Sequence, residues 1–264
     1  MENKESIYLA GVFSDWRDSF IKRLSNFDIK DPRNHRQQAI AKLVEDDMNA
    51  AQNTDILFAY FPKGEIRGTM TYAEIGASRA RGKCIITIDE DGENPLFEKV
   101  ASHHFKNKEN AFELLDSGLY SPKFHRIKKE NEEICRSVLF TGALSKFSST
   151  ISEVARTKNC RTDYDAENLE NFARDVDITV VKFDDKEGRK EAVFYMGLSY
   201  ALNIPIILCT SNPVIYAPLA GLARRIFTGQ HHRAIVEEYL NSLHEQNVES
   251  EFQIYQRLRM RYNQ

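Results

Sequence analysis

Short, unbroken apolar runs alternate along the chain with longer segments in which apolar residues recur every three or four positions. The runs are "IYLAG" (7–11), "DILFAYF" (55–61), "CIITI" (84–88), "SVLFTG" (137–142), "DITVVKF" (177–183) and "IPIILC" (204–209). A strand with polar residues at every second position would be wet on one face. These runs have almost none, so they predict strands covered on both faces. Amphipathic segments between them predict crossover helices, and the alternation predicts an α/β fold with parallel sheet.

The pattern occurs twice. "NTDILFAYF" (53–61) is answered by "DVDITVVKF" (175–183), with Asp55 opposite Asp177. "EIGASRARGKCIITI" (74–88) is answered by "YMGLSYALNIPIILC" (195–209), so Gly76 pairs with Gly197 and Glu74 with Tyr195. Each last strand leads to an Asn-Pro, Asn94-Pro95 or Asn212-Pro213, and then a helix containing "NAFELL" or "AIVEEYLNSL". The expectation is two small doubly wound, Rossmann-like or flavodoxin-like domains, residues 1–125 and 126–264, arranged as a pseudo-dimer. The joint "SPKFHRIKKENEEICR" (121–136) reads as a charged helix. The tail from 245 reads as a last helix packing on the body or on a second copy, a route to a homodimer.

Composition narrows the function. The net charge is −3 and the pI near 6.2, which gives no bulk signal for nucleic acid. No apolar stretch is long enough to span a bilayer, and the polar start MENKES is unlike a signal peptide. The four cysteines, at 84, 135, 160 and 209, form no CxxC pair. Cys84 and Cys209 fall in apolar runs and read as buried thiols, in keeping with a reducing, cytoplasmic setting. His103-His104 and His231-His232 lack spaced partner ligands and read as loop residues, so no metal site is expected. Ser148, Ser149 and Thr150 lack the setting of a nucleophile elbow.

Ligands of open parallel sheets sit beyond the carboxyl ends of the strands. After the first run stand Gly11, Val12, Phe13, Ser14 and Asp15, with no GxGxxG fingerprint and hence no dinucleotide cofactor of the usual kind. Gly11 suits a tight turn or a close ligand. After 55–61 a loop leads into the helix carrying Glu74. The helix dipole alone could favour an acid there. The second half keeps the glycine but has Tyr195 in place of the acid, which suggests one working site and one retired site. Asp55 and Asp177 lead their strands in both halves, as a turn or cap would require, and ligand contact stays open for Asp55.

On these residues the chain resembles the nucleoside 2-deoxyribosyltransferase family and its relatives that hydrolyse nucleotide N-glycosidic bonds. The likeness runs over "IYLAGVFSDWRDSFIKRL" (7–24), "DPRN" (31–34), "DILFAYFP" (55–62) and "GTMTYAEIGASRARGK" (68–83). It implies that Glu74 attacks C1′ of the sugar and displaces the base, leaving a glycosyl ester that a second base or water resolves. It also implies that Tyr8 orients the nucleophile and Asp55 lies near the base. Gly11, Phe13, Trp16, Arg33, Gly68 and Thr69 would line the substrate site, and Asn212 of the second half would replace an Asn that the family borrows from a neighbouring subunit. No cofactor is implied. The partner is a small nucleoside or nucleotide.

The chain departs from the family's pattern at Gly68, where a second acid often stands; Glu65 would substitute if its loop folds back. Lys63, Arg67 and Arg79 flank the loop and would favour a phosphate-bearing ligand if they face the pocket. Trp16 also fits plain packing. A non-catalytic nucleotide-binding sensor or scaffold, and NAD glycohydrolysis, are the alternatives on the same architecture.

Overall fold

The computed structural model describes residues 4–35, 39–92, 94–128, 137–142, 159–161, 168–183, 189–210 and 217–228. The first half runs β1 (Ser6–Gly11), α1 (Trp16–Arg23), β2 (Asp28–Lys30), α2 (Ile40–Asn53), β3 (Ile56–Phe61) and α3 (Thr69–Ala80). It continues with β4 (Cys84–Asp89), α4 (Pro95–Val100), β5 (His103–Phe105) and α5 (Lys108–Ser117). The second half holds β6 (Ser137–Gly142), β7 (Asn159–Arg161), α6 (Phe172–Asp175), β8 (Ile178–Lys182), α7 (Arg189–Ala201), β9 (Ile206–Thr210), α8 (Ala217–Ala220) and β10 (Arg225–Thr228).

Both sheets are parallel and have the same order. The first is β2-β1-β3-β4-β5 and the second β7-β6-β8-β9-β10. Renumbered within each half, both read 2-1-3-4-5, the flavodoxin-like doubly wound order, with its switch point between the first and third strands. The duplication read from the sequence is thus a duplication of topology. The apolar run of β3, buried at every position, is what two helical layers demand.

Alternation along the strands assigns the faces. Ile7, Leu9, Ile56, Phe58, Ile86 and Ile88 pack with Trp16 and Phe20 of α1 and with Ala111 and Leu115 of α5. Tyr8, Ala10, Leu57, Ala59, Phe61 and Ile85 face α2 and α3. That inner core continues without a break into Leu139, Val181, Leu208 and the apolar side of α7. From the outer face of the first sheet inward, the layers are therefore α1 with α5, sheet, helices, helices, sheet.

The two halves meet where α3 crosses α7. A Cβ on Gly76 would stand 2.1 Å from the Phe194 carbonyl oxygen, and one on Gly197 would stand 1.9 Å from the Ala73 carbonyl oxygen. The contacts are reciprocal, because Gly76 is to Ala73 as Gly197 is to Phe194. This is the self-complementary geometry of a two-fold joint, made within one chain. Only glycine lets the backbones approach so closely. Residues Thr71 to Ala80 are all buried, as expected of a helix covered on every side.

Three expectations are corrected. The described part of the joint, 121–128, is irregular chain and not a helix. Gly118 ends α5 in the left-handed region, and the chain then docks on α3 with Ile127 N donating to Ala80 O at 2.9 Å. Secondly, His103 and His104 lie on β5, an edge strand too short to announce itself in the sequence. His104 Nδ1 is 2.9 Å from Thr87 Oγ1. Thirdly, β10 likewise adds a fifth strand to the second sheet that the hydrophobic pattern did not predict. Cys84 and Cys209 are both buried, as expected. The tail helix, Cys135 and His231-His232 lie outside the described residues. Among the described residues no helix is long and apolar enough to cross a membrane.

Candidate active site

Glu74 is the sixth residue of α3, beyond the first turn where a helix dipole acts on an acid. Its side chain points from the all-buried helix toward β1, where the Tyr8 hydroxyl donates to Oε1 at 2.8 Å. Tyr8 reaches it because β1 alternates: Ile7 and Leu9 turn to the outer core, Tyr8 and Ala10 to α2 and α3. Glu74 is only 5% exposed. Burial raises its pKa to about 8, with the Asp47 charge adding to the rise; the Tyr8 hydrogen bond and the Arg17 charge oppose it. Burial and Glu74 in turn hold the Tyr8 hydroxyl above its ordinary value.

Asp47 belongs to this cluster although the sequence reading did not single it out. It stands in the apolar stripe of α2 with Val44, Met48 and Ala51, all buried. Its Oδ1 lies 2.5 Å from His35 Nδ1, and burial raises its pKa. An acid inside a helix's apolar stripe is the signal that could have found it.

Arg17 closes the upper end. It is fully buried, donating to the carbonyl oxygens of Leu9 (3.0 Å) and Gly11 (2.7 Å) and to Asp31 Oδ1 (3.1 Å). It therefore clamps the end of β1 to the turn after β2. Arg33, expected to bind substrate, is paired with Asp31 and Asp18. The Asp31 side chain caps the short turn Pro32–Asn34, which accounts for "DPRN" as a structural element.

The loops after β1 and β3 adjoin at the switch point. A Cβ on Gly68 would come within 3.6 Å of Val12 N and 3.7 Å of Gly11 C, and Ser14 Oγ donates to Glu65 Oε2 at 3.0 Å. Glu65 is thus exposed and tied to the first loop, and does not fold back onto Glu74. Gly68 precedes α3, and half-buried Thr69 is its first residue. Gly11 has φ +138°, and its Cβ would stand 2.5 Å from Tyr60 O. Gly142 repeats this at φ +100°, 2.1 Å from Lys182 O, so both glycines serve backbone closeness between strands.

Phe13 is 54% exposed on the first loop, with the Arg17 guanidinium 4.8 Å from its ring centre. Trp16 is core. Its indole N–H donates to Val12 O, and Phe20 and Tyr60 pack edge-on against it, leaving no open face for a base. Asp55 lies away from the cluster. It sits at the amino ends of the strands, accepting from Ser6 N (2.9 Å) and Ser6 Oγ (2.7 Å). Those bonds hold its carboxyl below the ordinary value. Asp55 pins β3 to β1, and the acid whose charge bears on Glu74 is Asp47. Asn212 lies outside the described residues.

Arg67 is committed to a carboxylate, whereas Arg79 is buried with its Nε and Nη2 lacking a hydrogen-bond partner among the described residues. Arg67 is bound to Asp89 by two hydrogen bonds. Arg79, in the last turn of α3, lies against the Phe124 ring at 4.0 Å and the His125 carbonyl. Among the described residues no cluster of three or more His, Cys, Asp or Glu could hold a metal ion.

In the second half the described positions that match Tyr8, Asp47 and Glu74 do not repeat the cluster. Tyr8 lies three residues before Gly11, and Leu139 stands at the same distance from Gly142. Asp47 lies eight residues before Asp55, and Leu169 stands eight before Asp177. Glu74 is answered by Tyr195, which stacks on Phe172 at 5.9 Å. Leu139 and Leu169 are buried in the shared core.

No family model matches the chain, and no curated protein matches it. Among solved structures it is similar to the solution structure of the E. coli RcsC C-terminus (residues 700–949), which contains a linker region and a phosphoreceiver domain. That likeness has 11% identity and a TM-score of 0.31, and covers 91% of this chain and 92% of that chain.

Proposed function

We propose that the first half cleaves or transfers at the N-glycosidic bond of a nucleoside, with Glu74 as nucleophile. The observation that carries this reading is the buried Tyr8–Glu74 hydrogen bond, set below the switch point of the first sheet. A carboxylic acid deep in a core is costly unless it is held neutral or used.

The chemistry follows from the neighbours. A Glu74 oxygen bonds to C1′ as the C1′–N bond breaks, and the bonding pair leaves on the base nitrogen. Glu74 holds its proton near neutrality, so that proton must move as attack begins. Asp47, whose charge reaches Glu74, takes the proton and passes it to the departing base. The developing positive charge on the sugar lies beside a carboxylate in a site shielded from water, where it is strongly stabilised. Water or a second base then attacks C1′, the ester bond breaks to leave Glu74 as a carboxylate, and the proton of the attacking group passes through Asp47 back to Glu74. Tyr8 fixes the nucleophilic group through Oε1, leaving Oε2 for the sugar.

An uncharged nucleoside suits the mouth better than a monophosphate. Arg17, Arg33 and Arg67 are each committed to carboxylates, and Glu65, Glu90 and Asp91 surround Lys63 and its loop. The second half, with leucines and a tyrosine in place of the polar cluster, supports a wall and scaffold role.

The test is base release from a panel of nucleosides, their monophosphates and NAD. Glu74→Gln is expected to abolish release while nucleoside still raises the melting temperature. If no base is released from any of them but a nucleotide stabilises the fold, the protein is a sensor and the catalytic reading fails.

A further inference from the structure

We propose that Gly197, in the second half, is a positioning residue for Glu74 of the first. This rests on the reading of Glu74 as nucleophile, but its test does not depend on turnover. The Ala73 carbonyl belongs to the peptide unit that leads into Glu74. Gly197 lies so close to it that an added Cβ would stand 1.9 Å from the oxygen, 2.5 Å from the carbonyl carbon and 2.6 Å from the Ala73 Cα. All three contacts are backbone atoms, which cannot turn aside as a side chain can.

On its other side α3 faces the first sheet, where Tyr8 meets Glu74 at 2.8 Å. The helix is therefore held between a tyrosine hydroxyl and the backbone of α7. The reciprocal seat of Gly76 on Phe194 and Leu198, with Cβ distances of 2.1 and 2.8 Å, fixes the helix against sliding along its partner. The depth of Glu74 relative to Tyr8 and Asp47 is set from the far half of the chain. This explains why a half without the polar cluster stays joined to one that has it: its helix is the back-stop for the nucleophile.

A methyl group at 197 must move α3 by more than an ångström, which opens the packing around Glu74 and admits water. Glu74 then loses part of the burial that holds its proton. Gly221 supplies the control. It also lies between the halves, but the three atoms nearest an added Cβ there are side-chain atoms of Val44, at 3.0–3.2 Å, and not backbone.

The experiment follows the carboxyl carbon of Glu74 by NMR through a pH titration of the full chain with labelled glutamate, assigned by Glu74→Gln. Gly197→Ala is expected to lower the Glu74 midpoint by about one pH unit or more. Gly221→Ala is expected to leave it in place. Leu198→Ala loosens the same crossing without adding bulk, is expected to lower the midpoint too, and decides the matter alone if Gly197→Ala does not fold. An unchanged midpoint in the folded variants overturns the positioning role. A shifted midpoint in a protein that releases no base from any nucleoside keeps the positioning role and removes the glycosyl chemistry.

Discussion

Arg67 grips Asp89 with two hydrogen bonds, 2.9 and 2.7 Å long, one to each carboxylate oxygen. Asp89 is fully buried at the end of β4, so this pair ties the loop between β3 and α3 to the neighbouring strand. Further bonds from Lys63 N to Glu90 and Gly64 N to Asp91 hold the same loop.

Arg67→Ala strands a carboxylate in the core and is expected to cost about 3–5 kcal/mol. Arg67→Met with Asp89→Leu should recover most of that loss, because the pair's own net contribution is small. Urea unfolding of the two variants measures both. A single variant as stable as the double would show that Asp89 finds water or another partner.

Glu74 makes the fold less stable in alkali. It keeps its proton up to about pH 8 in the fold, against an ordinary value of 4.5. Between those values the folded state binds more protons than the unfolded chain, so stability falls as pH rises. Glu74→Gln should therefore match wild type near pH 4 and exceed it at pH 8, by on the order of 3–5 kcal/mol. Denaturant midpoints at the two pH values decide it; a difference that does not change with pH would mean that Glu74 ionises as an ordinary carboxyl.

Tyr8→Phe removes the bond that favours the ionised form of Glu74. The Glu74 midpoint should move further up. Base release at neutral pH should fall about tenfold, with part of the loss regained in alkali. A flat loss at every pH would assign Tyr8 to substrate contact alone.

Asp55→Ala tests the reassignment of that residue. Losing its bonds to Ser6 is expected to cost about 1 kcal/mol. Base release by the folded variant should stay close to wild type. A hundredfold loss with stability intact would return Asp55 to the site.

Gly11→Ala meets a carbonyl 2.5 Å away at a positive φ and should cost about 2–3 kcal/mol. At Gly118, φ +67° with open space around it, the same change should cost roughly 1–2 kcal/mol. Thermal unfolding of the two variants ranks them.

The fold was legible because its cause is local. Strands buried on both faces must be written as unbroken apolar runs, and the repeated Gly76 and Gly197 marked the copy. The pairing of Tyr8 with Glu74 was legible through resemblance alone, since nothing local links residues so far apart in the chain. Asp47 was readable in principle, as an acid inside an apolar stripe, yet its neighbours masked it as a surface charge of "VEDDMNA". Asp55 misled because a leading acid reads alike whether it holds a ligand or a serine. Trp16 was ambiguous until Phe20 and Tyr60 were seen closing on it. The five-strand count escaped because β5 and β10 span only three and four residues.

The glycine crossing has an implication for building new proteins. Each half presents the other with the same seat, a bare Cα against a carbonyl, so the joint does not discriminate between them at its centre. A chain made of two first halves, joined in tandem, could close the same seam on itself. It would carry two acid-bearing helices back to back, each with its own Tyr8–Glu74 pair.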